Sequence, residues 1–467
     1  MFDKKIAKKI LQTCLKTGGD FSEIYVENSI YNSISCDNEI IDKIDNCYSS
    51  GIGIRILKEN ESVYGYTNNF NKKNLFVLAR KLASRFNEKQ KNNCQDLKKI
   101  KKIENISKIE KSYFDIPIGK KISFLKKICK KIKNKLDKLE ISSNRRICGI
   151  FSNKKNIEIF NSNGLHVKDE KERTGIKIAI KINKNSTQES VYEFFGAQNN
   201  IDKLKKINFN EEISKMINDL LGLISAKKCP SKKMTVVIGN GNGGTLFHEA
   251  CGHALESSSV SLNLSVFSNR MNSQIASPLI TAYDDGTIKN EWGSNNIDDE
   301  GNKTQKTCLI KNGILKNYLI DNFTGRKINK TGNGACRREN YQFEPTSRMS
   351  NTFIANGKST FEEIIKNTQF GLYAKKISGG SVNTITGEFE FAVDIAYMIK
   401  NGKICEQVKG AMLIGKCEEI LKNIDMVGND LSLSPGICGA YSGDIPVNVG
   451  QPTIRIKSIL VGGNSKI

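Results

Sequence analysis

The chain has 467 residues, enough for roughly two to four domains, each with its own core. Its 38% hydrophobic and 26% charged content is ordinary for a soluble globular protein, and no stretch is long and apolar enough to cross a bilayer as a helix. A formal charge of +23 invites a nucleic-acid reading, but its distribution argues against one. Residues 1–228 hold 46 Lys+Arg against 27 Asp+Glu, whereas residues 229–467 hold 26 against 22, and the excess is mostly lysine. Runs such as Lys98-Lys99-Ile100-Lys101-Lys102-Ile103 fit AT-rich codon usage and a solvated surface. The arginine clusters with interleaved aromatics that grip nucleic acid are missing. Neither a nucleic-acid nor a membrane partner is expected. Thirteen cysteines without a CxxC pair fit free thiols in a reducing cytoplasm. Met1 to Thr13 is charged and amphipathic, so no secretory signal is expected there.

In chain order, a helix is predicted over 3–16, with Ile6, Ile10, Leu11 and Leu15 at helical spacing and Gly18-Gly19 as its stop. From Phe21 to Tyr66 polar and apolar residues alternate between turn signals, which predicts antiparallel strands. A second helix is predicted over 73–86, followed by a lysine-rich linker or surface loop over 87–111. Gly119 to Leu139 reads as a basic amphipathic helix packed by Ile122, Leu125, Ile128, Ile132 and Leu136, with a lysine back. Strands follow from Ile147 to Ile182 around a turn at Asn161-Ser162-Asn163-Gly164, and His166 beside it is expected to be a surface or packing residue. A helix over Glu211 to Lys227 closes an N-terminal α+β region of residues 1–228, with a further subdomain split placed near 90–118. Cys229-Pro230 marks the boundary with a C-terminal domain of residues 229–467. There, Asn312-Gly313 and Asn401-Gly402 predict type I′ hairpins. The fold class is α+β: antiparallel strands with flanking helices, then a mainly antiparallel sheet or open barrel carrying one principal helix.

That helix carries the chemistry. Met234 to Ile238 reads as a strand, followed by Gly239-Asn240-Gly241-Asn242-Gly243-Gly244 and then His248-Glu249-Ala250-Cys251-Gly252-His253, which holds two of the chain's three histidines. The glycines at 239, 241 and 244 match GxGxxG formally, but no alternating strand-helix unit follows and no Lys-Ser/Thr ends the loop. Their expected role is a sharp turn that lets a substrate approach the helix start. Two imidazoles flanking a carboxylate suggest a metal site with a neighbouring general base. The five-residue gap rotates the rings about 140° apart on a regular helix, so either a π-type turn or a break near Gly252 must realign them. A third ligand must come from elsewhere. Cys438, in the turn-rich segment Ser434-Pro435-Gly436-Ile437-Cys438-Gly439, is one of several candidates by spacing, whereas Cys251 is expected to be buried.

His248 to His253 as HExxxH, with Glu256 shortly after, resembles the TldD/PmbA family of metallopeptidases, in particular its metal-binding TldD branch. The similarity continues through Asp284-Asp285-Gly286-Thr287, Trp292-Gly293-Ser294, Ile297-Asp298-Asp299-Glu300-Gly301 and Gly334-Ala335-Cys336-Arg337-Arg338-Glu339. It extends over Arg348-Met349-Ser350-Asn351-Thr352, Gly387-Glu388-Phe389, Val408-Lys409-Gly410-Ala411, Met426-Val427-Gly428-Asn429-Asp430 and Gly450-Gln451-Pro452-Thr453. The N-terminal half is similar only in length and element order. The resemblance implies one zinc ion per chain held by His248, His253 and Cys438, with Glu249 as general base toward a metal-activated water. It further implies cleavage of peptides or unfolded polypeptides, and a PmbA/TldE-like paralogous subunit or a homodimer. The competing readings are a non-hydrolytic, metal-bearing scaffold subunit and a nucleotide-dependent enzyme using the Gly239–Gly244 turn.

Overall fold

Alternation at period two builds the N-terminal half. In the computed structural model, which describes residues 2–98, 106, 108–109, 111–141, 144–184 and 187–463, six long strands form one antiparallel sheet. They are β1 (Phe21–Asp37), β2 (Ile40–Lys58), β3 (Glu61–Thr67), β4 (Asn144–Asn161), β5 (His166–Lys184) and β6 (Thr187–Gln198), in the order β3-β2-β1-β4-β5-β6. Ile24, Val26, Ile34 and Cys36 of β1, with Cys148 of β4 and Ile176, Ile178 and Ile180 of β5, point to one face. That face is covered by helices α1 (Lys4–Leu15), α2 (Lys72–Ala83), α3 (Ile118–Asp137) and α4 (Phe209–Ser225).

The four helices predicted for residues 1–228 are thus present, displaced by one to three residues at their ends. In α3 the stripe of Leu125, Ile128, Ile132 and Leu136 is buried while Lys126, Lys127, Lys130 and Lys133 face solvent. Each buried aliphatic side chain contributes roughly 1.5–3 kcal/mol relative to exposure, which fixes this helix on the sheet. The lysine-rich linker expected over 87–111 falls partly outside the described residues. His166 is a packing residue: it stacks on Phe160 with ring centroids 4.3 Å apart and lies 2.8 Å from Glu158 Oε1.

The opposite face of the sheet mixes charged residues with an apolar cluster of Tyr25, Ile157, Ile159 and Val167, which packs on Ile297 and Tyr341 of the C-terminal half. Arg55 of β2 reaches Glu23 of β1 at 3.2 Å and Glu300 at 2.5 Å, while Arg338 reaches Glu23 at 3.0 Å, and all four side chains are buried. The two halves therefore join through a desolvated ion network, in which each charge depends on its partner for compensation.

The C-terminal half runs through β7 (Lys232–Ile238), β8 (Ala282–Asp285), β9 (Lys306–Lys311), β10 (Asn351–Ile354), β11 (Phe370–Val382), β12 (Glu388–Lys400), β13 (Ala411–Lys416), β14 (Ser432–Ala440), β15 (Gly443–Gln451) and β16 (Ile454–Gly462). Strands β11, β7, β16, β13 and β12 pair in that order, and β12 pairs back to β11, which closes a five-stranded barrel. The anticipated sheet or open barrel is therefore a closed one. Its closure comes from β11 and β12, whose pairing shifts register between Ala374 and Lys376 and again between Ile377 and Gly380; such bulges bend a strand enough to bring its far end round. One barrel pair, β7 with β11, is parallel.

Both Asn-Gly hairpins form as predicted. Asn312 and Gly313 have φ of 49° and 81°, and Asn401 and Gly402 have 50° and 69°, the positive values a type I′ turn requires. A second sheet, in the order β9-β8-β10-β15-β14, packs beside the barrel and ends at β14. No helix among the described residues is long and apolar enough to cross a membrane.

Candidate metal centre

Strand β7 buries Val236 and Ile238 in the barrel core and delivers the chain to the glycine turn at its end. Gly241 takes φ +59° there, and a Cβ on Gly244 would stand 2.4 Å from the backbone nitrogen of Gly450 in β15. The turn is braced by its own chain, since Asn242 Oδ1 accepts from Ile377 N at 2.7 Å and Gln451 Nε2 donates to Gly239 O at 3.1 Å. The space expected for a substrate at the helix start is taken by β15, and these glycines serve close packing of helix against strand.

The helix over 245–255 changes its winding as it crosses the histidines. It is α-helical over Thr245–Phe247, π-helical over His248–Gly252 and 3₁₀ over His253–Leu255. The backbone N–H of His253 donates to the carbonyl of His248, the five-residue bond that widens the turn. The widening removes the angular offset of a regular helix and brings the rings to a 5.2 Å centroid separation at 84°.

Cys438, on β14, completes the cluster. Its Sγ is 3.3 Å from His248 Nε2 and 3.3 Å from His253 Nε2, and the three donor atoms all lie within 4.8 Å of one another. A tetrahedral zinc site with two imidazoles and one thiolate has ligand-to-ligand edges of about 3.4–3.6 Å, so the donors stand nearly at coordination spacing. Burial alone would push the Cys438 thiol up, but the imidazoles of His248 and His253 overcome it and bring the pKa down to about 4. A thiolate with two imidazoles suits a borderline cation and leaves a fourth position open.

The surroundings of the cluster are organised as well. Glu249 is partly exposed, and its Oε2 lies 3.5 Å from His253 Nε2, beside the point where the donors converge. Glu256 Oε2 is 3.2 Å from His253 Nδ1, so a buried carboxylate holds the ring by its outer nitrogen. Burial disfavours the His253 imidazolium, yet Glu256 and the bond to Cys438 raise its pKa well above the usual histidine range. Arg348, wholly buried, donates through Nη2 to Cys438 O at 2.5 Å and through Nη1 to Ser442 Oγ at 2.8 Å and Gly443 O at 2.9 Å, which ties down the hairpin bearing the thiolate. Trp292 Nε1 donates to Gly436 O at 2.9 Å on the same strand.

Two expectations follow. Glu256→Gln, which keeps the side-chain volume but removes the charge behind His253, should weaken metal binding at the cluster about 10–100-fold in a chelator competition. Gly252→Ala places a Cβ 2.0 Å from Met349 Sδ, and Met349 is fully buried; thermal unfolding should show a loss of about 1–3 kcal/mol from overpacking.

Comparison with known proteins agrees with this geometry. The PmbA/TldA metallopeptidase C-terminal domain matches residues 231–463, domain 1 matches 22–85 and the central domain matches 111–221. A metalloprotease TldD homolog of Buchnera aphidicola from Acyrthosiphon pisum is 34% identical over 457 residues, covering 95% of this chain and 93% of its own length. The chain belongs to the PmbA/TldA metallopeptidase family. A metalloprotease of Methanocaldococcus jannaschii is 32% identical over 94% of this chain and 96% of its own length. TldE from Thermococcus kodakarensis shares the fold, with a TM-score of 0.77 at 17% identity, covering 98% of this chain and all of that one.

As a member of this metallopeptidase family, the chain carries a His-His-Cys cluster able to hold a metal. The structure brings His248, His253 and Cys438 together with Glu249 at their side. Cys251 is packed in the C-terminal core, where burial pushes its thiol far up. Sequence reading had singled out neither Arg348 nor the hydrogen bond from Trp292. A buried arginine bonded to a carbonyl 90 positions away leaves no local pattern, although both residues fall within the family's motif blocks.

Proposed function

We propose that this chain is a zinc-dependent peptidase acting on peptides or unfolded polypeptides, with His248, His253 and Cys438 as metal ligands and Glu249 as general base. The convergence of the three donor atoms within 4.8 Å is the observation that carries the reading. Bound zinc would polarise a substrate carbonyl and acidify water at its open position. Glu249 is placed to take the proton from that water and to return it to the leaving amine. Glu256 orients His253 through Nδ1, and Arg348 fixes the strand that presents Cys438.

The same reading places the catalytic apparatus in residues 229–467, pairs the chain with a TldE-like paralogous subunit or a second copy of itself, and locates it in the cytoplasm. Backbone pairing of an extended peptide along β14 would have to respect two carbonyls already in use, Gly436 with Trp292 and Cys438 with Arg348. The nucleotide reading loses its footing, because the glycine turn is filled by the protein's own strand.

Elemental analysis together with an unfolded-protein and peptide cleavage assay tests the proposal, alone and with the paralogous subunit added. The expected result is one zinc per chain and cleavage abolished by chelation. A stoichiometric metal with no cleavage in either preparation would favour the scaffold reading.

A further inference from the structure

Between this face of the N-terminal sheet, opposite its helices, and the C-terminal half lies a cavity of about 260 Å³. Ile437 and Pro446 form part of its wall, and they are register partners on β14 and β15. The next pair is Cys438 with Ile445. Successive side chains on a strand point to opposite faces, so the cavity and the metal cluster lie on the two sides of the same ribbon, one residue apart in the chain. β14 is the last strand of its sheet, so no further strand of that sheet lies between the two sides along its outer edge.

Most of the charges around this cavity are paired. Lys155 pairs with Glu27 at 3.3 Å, Lys171 with Asp299 at 3.3 Å and Arg338 with Glu23 at 3.0 Å. Arg173 and Arg337, both buried, have only uncharged hydrogen-bond partners among the described residues, with Asp299 acting on both at longer range, Asp169 on Arg173 and Asp284 on Arg337. Arg173 donates to Trp292 O at 2.8 Å, Ser294 O at 2.7 Å and Asn295 Oδ1 at 2.8 Å; Arg337 donates to Met349 O at 2.5 Å and Pro446 O at 2.7 Å. Burial and then repulsion from Arg337 bring Arg173 down to about 9, and burial brings Arg337 down to about 10. Two desolvated guanidinium groups that no carboxylate hydrogen-bonds among the described residues present planar forks that match a carboxylate.

Asn153, also on the wall, has its Oδ1 buried without a hydrogen-bond donor. That acceptor calls for an N–H beside the anion. Phe151 and Trp292 supply aromatic surface. At the rim, Glu339 and the exposed Asp444 add negative charge, which disfavours a polyanion such as phosphate.

We propose that this cavity receives the C-terminal residue of a peptide substrate, with its α-carboxylate toward Arg173 and Arg337 and its amide N–H toward Asn153 Oδ1. The assignment rests on the peptidase reading and specifies it: substrates with a free C-terminus are preferred, and cleavage falls a short distance before that end.

Trp292 is the chain's only tryptophan, so intrinsic emission reports on this cavity directly. The test titrates the zinc-loaded full chain carrying Glu249→Gln, which keeps the peptide intact, with N-acetyl-Ala-Ala as free acid and as C-terminal amide. N-acetyl-Glu-Ala-amide and inorganic phosphate distinguish a side-chain carboxylate and a simple anion from the α-carboxylate. The free acid is expected to give a saturable change in emission, with the other three ligands at least tenfold weaker. Arg173→Lys should weaken the free acid alone by a similar factor, and the comparison of ligands stands even if that variant fails to fold. Equal titration by free acid and amide, or an equal response to phosphate or to the glutamyl amide, overturns the assignment. In a parallel assay with the wild-type chain, cleavage indifferent to C-terminal amidation overturns this inference and leaves the peptidase reading intact. Preferential binding of the free acid without cleavage in any preparation overturns the peptidase reading and reduces the cavity to a carboxylate-binding site.

Discussion

Glu249→Gln should leave one zinc per chain in place while lowering kcat for peptide cleavage by about 10²–10⁴-fold, the usual contribution of a positioned general base. The carboxylate stands beside the donor cluster, with Oε2 3.5 Å from His253 Nε2, and it is not one of the three atoms that converge. The amide keeps the shape and loses the ability to accept a proton, so binding and chemistry should separate: KM for peptide nearly unchanged, kcat collapsed. Turnover retained at the wild-type rate, with metal content confirmed, would remove Glu249 from the mechanism.

Cys438→Ala should cost metal affinity more than the roughly 10–100-fold expected for a residue that only supports a ligand. The thiolate is the single anionic donor of the three, and its loss leaves two imidazoles on one helix with no partner from β14. Cys251→Ala, three residues from the first histidine of the motif yet packed in the core, should leave affinity unchanged and show only a modest stability loss in a melt. The reverse ranking in a chelator competition would reassign the third ligand.

Much of this was legible in the sequence because short-range periodicity carries it. Alternation marked the strands of the N-terminal sheet, the spacing of Leu125, Ile128, Ile132 and Leu136 marked α3, and Asn-Gly pairs marked hairpins at 312 and 401. The five-residue gap between His248 and His253 narrowed the local geometry to a widened or broken helix, and the π turn is the first of these. Barrel closure was not legible, since it depends on bulges within β11 whose register only the partner strand defines. The buried ion network was hidden for a related reason: Glu23, Arg55, Glu300 and Arg338 look like solvent-facing residues until another half of the chain covers them. Likewise, the glycine turn carried the spacing of a dinucleotide fingerprint, but what its missing side chains accommodate is a neighbouring strand.

The widened turn also constrains which length changes the chain tolerates. The turn has already absorbed one extra residue, so a further residue inserted between the two histidines would rotate everything downstream by about 100°. His253 would swing away from Cys438, carrying Glu256 with it, and Leu255 would leave the core. An insertion is harmless in a surface loop; within these six positions it would dismantle the phasing of ligand, support and packing together.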